Sequence, residues 1–314
     1  MKKLKLIIFL LVLTALFMLC GCSSRVSGDT DGDGPKVITT IFPPFDFVRE
    51  IAGSELSVSM LLPPGAESHS FEPTPQDIIA IGKCDLFIYA GGESDTWVKD
   101  MLDSLGESAP ETLTLMECVD PVVEEHVEGM ETTGDEEEPE FDEHVWASPK
   151  NAMLICDRIT EKLIAIDPDN AKVYSDGNST YQAELAKLDS LFEETVSTAK
   201  RNTIVVGDRF PFRYLTDAYG IEYYAAFPGC STESEPSAAT IAFLIDKIEE
   251  DDLPAVFYIE FSNHRVADII AESTGAEPLL MHSCHSVSQS DLDSGVSYIS
   301  LMTNNAANLG KALN

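Results

Sequence analysis

Positive charge is scarce in this chain. Its 314 residues hold 20 Lys and Arg against 54 Asp and Glu, a formal net charge of −34. Nucleic-acid binding needs basic side chains clustered against phosphates, and a polybasic membrane contact needs them near a surface, so the charge argues against both. Catalytic signatures are missing too. There is no His-Glu-X-X-His and no Gly-X-Ser-X-Gly, the two arrangements that would suggest a zinc hydrolase or a serine hydrolase. The chain is therefore read as a non-enzyme. No sticky repeat or aromatic array marks it as an adhesin, and a metal-dependent surface adhesin stays an alternative reading. Leu6 to Leu19, an apolar run interrupted only by Thr14, is too short for a comfortable transmembrane helix. What is present is globular: 44% hydrophobic and 24% charged residues, in a length that suits two domains.

The apolar run follows Lys2, Lys3 and Lys5 and ends at Leu19-Cys20-Gly21-Cys22. This reads as a signal peptide, and its end resembles a bacterial lipoprotein box. That resemblance implies cleavage after Gly21 and acylation of Cys22, tethering the protein to membrane lipid on the extracytoplasmic face of the cell membrane. Losing residues 1–21 removes three Lys and no acid, leaving −37. Residues 22–35 read as a flexible tether. Five cysteines remain: Cys84, Cys118, Cys156, Cys230 and Cys284. An odd number cannot pair completely within one chain, so this is no disulfide framework. Cys84, Cys118 and Cys156 have apolar neighbours and read as core thiols.

From Lys36 onward, short apolar runs alternate with helical patterns. Strands are expected at Val37–Ile41, Ser57–Leu62, Leu86–Tyr89, Thr112–Leu115, Ile204–Val206, Ile221–Ala225, Ala255–Ile259 and Pro278–Met281. Such alternation implies parallel sheets in an α/β fold. Thr74-Pro75 and Ser148-Pro149 each read as an N-cap followed by Pro in the first helical turn. Tyr181, Leu185, Leu188, Leu191 and Phe192 form one apolar stripe, which predicts a long helix within 168–200. Asp176-Gly-Asn178 is expected to kink or weaken it. The boundaries read as an N-terminal lobe at 36–167, a linking helix at 168–200 and a C-terminal lobe at 201–314. Residues 124–143, with Asp135 to Glu138 at their centre, are expected to form a mobile, solvated acidic loop.

Six histidines are present, and two stand just before helix starts. His69 lies in Pro63 to Pro73, and His144 in Asp142 to Pro149. Strand-to-helix loops gather at the carboxyl edge of a parallel sheet, where ligands bind, and neutral imidazole suits zinc and its neighbours. The pattern Pro-Gly-X-X-X-His-X-X-Glu-Pro-X-Pro at 64–75, together with Asp-Glu-His-Val-Trp-Ala-Ser-Pro at 142–149, resembles the two metal-ligand segments of zinc and manganese solute-binding proteins of bacterial ABC importers. Glu235 to Ser237, Ile259 to Ser262 and Tyr298 to Leu313 are similar to later segments of that family. The resemblance implies two lobes with parallel sheets, joined by a rigid helix, with metal held in the cleft between them. It also implies delivery to an ABC permease in the membrane. A monomer is expected.

The chain departs from the family in its second lobe. Aligned on Tyr214 and Tyr219-Gly220, Arg209 falls where the family places its third His, and Arg cannot ligate. Asp208 beside it is the nearest donor, though it could instead cap a turn or pair with Arg209. His282 falls at or near the family's fourth ligand, usually Asp, with His285 as the alternative. Glu260 is another oxygen donor by analogy, or a structural acceptor. The expected metal set is thus His69, His144 and His282 with Asp208 or Glu260. Its nitrogen-rich chemistry favours Zn²⁺, with Mn²⁺ as the alternative. Cys230 and Cys284 both fall near the expected cleft; a disulfide is the first reading and a soft thiolate ligand the second.

Overall fold

The computed structural model describes residues 34–67, 69–131, 140–231 and 235–314. The readings of the signal, of Cys22 and of most of the tether lie outside the described residues, as does the centre of the acidic loop.

Among the described residues eight strands form two four-stranded parallel sheets. The first contains β1 (Lys36–Thr39), β2 (Ser57–Met60), β3 (Leu86–Tyr89) and β4 (Glu111–Thr114), in the order β2-β1-β3-β4. The second contains β5 (Thr203–Phe210), β6 (Glu222–Pro228), β7 (Ala255–Tyr258) and β8 (Glu277–Leu280), in the order β6-β5-β7-β8. The order is the same in both: the first strand of each sheet lies between the second and the third. Val37, Val58, Leu86, Val205, Val206 and Val256 are at most 1% exposed, because parallel strands covered by helices on both faces must be apolar throughout.

The first sheet is covered by α1 (Phe42–Ala52), α2 (Pro75–Ile81), α3 (Thr96–Leu105) and α4 (Pro149–Ile166). Thr74 caps α2 as its residue type suggests: its Oγ1 accepts from Asp77 N, and Asp77 Oδ2 accepts from Thr74 N at 2.7 Å. Ser148 stands at the N-cap of α4 but makes no side-chain cap bond. The helix α5 (Ala171–Ser197) spans 27 residues, about 40 Å of axial rise. Its buried stripe is Tyr174, Tyr181, Leu185, Leu188 and Phe192. The second sheet carries α6 (Arg213–Tyr219), α7 (Ala238–Glu250) and α8 (Arg265–Thr274), followed by α9 (Gln289–Asp293) and α10 (Tyr298–Ala312). Both α1 and α10 pack on α5, and a single apolar cluster runs from Val37 through the α5 stripe to Leu313. The lobes therefore share one core across the long helix. Among the described residues no helix is long and apolar enough to cross a membrane.

Two expectations change. The α5 helix runs unbroken through Gly177, and a Cβ there would stand 2.1 Å from the Ile51 carbonyl oxygen. Gly177 is where α1 crosses α5 at close range, not a weak point. The described parts of the acidic loop are also anchored to the second lobe, while Glu125, His126, Glu128 and Glu140 stay exposed. Val123 and Phe141 form an antiparallel bridge. Glu124 accepts from Cys230 N at 2.9 Å, Glu125 pairs with Arg213, and Glu131 accepts from Thr240 Oγ1 at 2.7 Å. These carboxylates find donors on the second lobe, which a composition count cannot foresee.

Candidate metal centre

His69 lies in the crossing from β2 to α2, and His144 just before α4. Each ring is held through Nδ1. His144 Nδ1 stands 3.0 Å from Asp142 Oδ1. A carboxylate only accepts, so Nδ1 carries the proton and Nε2 is left with a lone pair. His69 Nδ1 stands 3.0 Å from Ser94 Oγ, whose own proton goes to Glu143. Ser94 therefore accepts from His69, and again Nε2 is the free donor atom. Ser94 N adds a second bond to Glu143 at 3.0 Å. Gly92 makes this approach possible: at φ +88°, a Cβ there would lie 2.8 Å from the Glu143 carboxylate. Carboxylate support of this kind fixes both tautomer and ring orientation in metal sites.

The third imidazole is His285. Its ring centroid lies 5.5 Å from that of His69 and 5.3 Å from that of His144, while His69 and His144 are 5.8 Å apart. One nitrogen from each of the three falls within 4.8 Å of the others. Donors of a tetrahedral zinc site stand about 3.3 Å apart, given bonds of about 2.0–2.1 Å, so a modest contraction would close the set on an ion. The Trp146 ring, 4.8 Å from His285 and 5.5 Å from His144, forms an apolar wall.

His282, the ring expected on sequence grounds, is turned elsewhere. Its Nδ1 accepts from Cys284 N at 2.9 Å, and its backbone is clamped by Asn305, which accepts from His282 N at 2.8 Å and donates to His282 O at 2.7 Å. The result is a tight turn with Cys284 at φ +63°, and that turn delivers His285 to the cluster. Glu260 accepts from Ser283 N at 2.8 Å and from Ser283 Oγ. It lines the cleft but is spent on the same turn. Asp208 accepts from Arg209 N at 2.9 Å and from Ser262; it faces a neighbouring depression rather than the imidazoles. Cys230 and Cys284 are both free thiols, which corrects the disulfide reading. Burial drives both thiols well above their ordinary range, disfavouring the thiolate a metal would need. Of the thiols read as core, Cys84 and Cys156 are buried and Cys118 is partly so.

The loop carrying His285 belongs to the second lobe by sequence but is stitched to the first. Phe42 N donates to His285 O at 3.2 Å, Gly65 N to Val287 O at 2.9 Å, and Trp146 Nε1 to Ser283 O at 2.9 Å. Arg209 enters the cleft from the end of β5. It donates to Glu67 at 2.7 Å across the lobes and to Ser231 O at 3.4 Å. The cavity so enclosed has a volume of about 160 Å³ and is lined by the three imidazoles with Glu67, Arg209 and Glu260.

Burial, then the neighbouring His144, lowers the His69 pKa to about 4, and burial with both neighbouring rings pushes His285 well below its usual value. For His144 burial pulls the same way, but the Asp142 carboxylate overrides it and the ring ends above its usual value. Two of the three are thus held as neutral imidazoles, the form that binds metal.

The family described as zinc-uptake complex component A, periplasmic (ZnuA) matches residues 37–312. The chain is 32% identical over 306 residues to the high-affinity zinc uptake system protein ZnuA of Bacillus subtilis, covering 94% of each chain. It is 30% identical over 308 residues to the zinc-binding lipoprotein AdcA of Streptococcus pneumoniae, covering 97% of this chain but 60% of that longer relative. The crystal structure of the Zn(II)-bound ZnuA-like domain of Streptococcus pneumoniae AdcA superposes with a TM-score of 0.74 at 27% identity, over 89% of this chain and 99% of that one.

Proposed function

The chain belongs to the ZnuA family of periplasmic zinc-uptake components, and from that premise we propose that it captures Zn²⁺ through His69, His144 and His285 and hands it to an ABC permease. Three converging imidazoles, two of them with oriented tautomers, carry this reading. Nitrogen donors in a small cluster suit Zn²⁺, whereas Mn²⁺ prefers more oxygen ligands. The four nearest carboxylates, of Glu67, Asp142, Glu143 and Glu260, are taken up by Arg209, His144, Ser94 and Ser283, which further favours Zn²⁺. The family is one of transport components, so the ion is cargo and no reaction is assigned. Acylation of Cys22 would hold the monomer at the extracytoplasmic membrane surface beside its permease.

The test is competition between the metal-stripped protein and a chromogenic chelator, run with Zn²⁺ and with Mn²⁺. Tight 1:1 zinc binding with a large preference over manganese is expected; manganese preference, or no tight binding of either, overturns the reading. Radiolabelled palmitate incorporation that is lost in Cys22→Ala tests the anchor.

A further inference from the structure

Three imidazoles leave a tetrahedral ion one ligand short, and the cleft beside them is open. Glu260 is held by the Ser283 amide and hydroxyl, Asp142 by His144, Glu143 by Ser94 and Glu67 by Arg209. With these carboxylates engaged, the cavity, whose volume of about 160 Å³ exceeds what one water needs, has room for a fourth ligand from outside the chain. One wall of that cavity is a guanidinium. Of its five N–H groups, Glu67 and the Ser231 carbonyl engage two. Guanidinium is the side chain best shaped to grip a planar carboxylate. We propose that the cleft takes its metal together with a small carboxylate anion, one oxygen completing the coordination and the other pairing with Arg209.

This rests on the metal-capture reading above and adds a second component to the cargo. Glu67 is the competitor for the same guanidinium. It is half-exposed and can swing into solvent when the anion arrives.

The experiment loads the metal-stripped full chain with Co²⁺, a spectroscopic stand-in for zinc, and titrates it with acetate while recording the ligand-field spectrum. A saturable spectral change is expected. Arg209→Gln should keep Co²⁺ bound but require at least about tenfold more acetate, the scale of one lost charge-assisted contact. Glu67→Gln should bind acetate more tightly than wild type, because it frees Arg209. An acetate-insensitive spectrum, or an acetate midpoint unchanged in Arg209→Gln, overturns the proposal. So does a spectral change in Glu67→Gln before any acetate is added, which would make Glu67 the fourth ligand. A response to azide without one to acetate would overturn the carboxylate assignment. Failure to bind Co²⁺ or Zn²⁺ at all would instead overturn the metal-capture reading itself.

Discussion

The two lobes share a sheet topology and differ in chemistry. Each arranges its strands so that the first lies between the second and third, and each offers loops at the carboxyl edge of its sheet. The first lobe spends those loops on His69 and His144, each backed by a carboxylate directly or through Ser94. The second places Arg209 in the cleft and contributes His285 from a turn bonded to the first lobe. A repeated fold thus does not imply a repeated site. The first lobe supplies two of the three clustered imidazoles, and the second adds the third, from a turn bonded to the first lobe, together with a positive charge.

The most damaging way to break this asymmetry is to remove a donor. His285→Ala and His144→Ala should each weaken zinc binding by more than about a hundredfold, beyond the range of changes behind the ligands. His282→Asn keeps a hydrogen-bond acceptor for Cys284 N and should stay within about tenfold of wild type by the same reasoning. Chelator competition on the three variants decides the matter. Equal losses for His282→Asn and His285→Ala would move the third donor back to His282.

Next in size are the supports confined to the first lobe. Ser94→Ala and Asp142→Asn should cost about 10- to 100-fold in zinc affinity. Gly92→Ala should fall in the same range, because its new Cβ would displace Glu143 and release the Ser94 relay. Calorimetry of each variant would show the loss, and an unchanged affinity in all three would remove the support from the site.

Acidification sharpens the comparison further. His69, with its pKa lowered to about 4, and His285, pushed well below its usual value by burial and the neighbouring rings, stay neutral through mild acid, whereas His144 is raised. Below the usual imidazole value of about 6.5, a proton competes with metal at His144 alone. Zinc affinity should then fall about tenfold per pH unit down to roughly pH 4.5, and more steeply only when His69 also protonates. Three unperturbed histidines would give a slope near three, and chelator competition from pH 7 to 4 distinguishes the two. On stability the titrations oppose one another: the lowered His69 pKa works against the metal-free fold as pH falls below 6.5, whereas burial raises the Asp46 and Asp95 carboxyls to about 7, so that at those sites the folded chain binds more protons than the unfolded one.

The smallest effect concerns the shared core. Gly177→Ala forces a methyl against the Ile51 carbonyl oxygen and should cost about 1–3 kcal/mol, read as a Tm lowered by several degrees with zinc affinity intact. A broken or displaced α5 would be expected to change both.

Much of the fold is legible in the sequence. All eight strands lie where the apolar runs put them, within a few residues at their ends, and the long helix follows its stripe from Tyr181 to Phe192. The helices α3 and α9 escaped, the first because Gly91-Gly92 and the acids at Glu93 and Asp95 obscure its start, the second because it spans only five residues. At the site, the His69 and His144 segments stand out because their motifs are local, a histidine set just before a helix start. The choice between His282 and His285 does not. Both lie on one short loop, and which ring faces the cleft depends on Cys284 within it, on Asn305 from the last helix and on the Phe42 amide from the other lobe.

Sequence alone carries the compartment reading, the strand-helix alternation and the candidate donors His69 and His144, because signal, periodicity and capping are encoded in neighbouring residues. Tertiary structure alone decided that His285 joins them, the free state of Cys230 and Cys284 and the meeting of Arg209 with Glu67. Each of these turns on distances between segments more than fifty residues apart or on the hand of a single backbone turn, and only the packing of both lobes on α5 sets them.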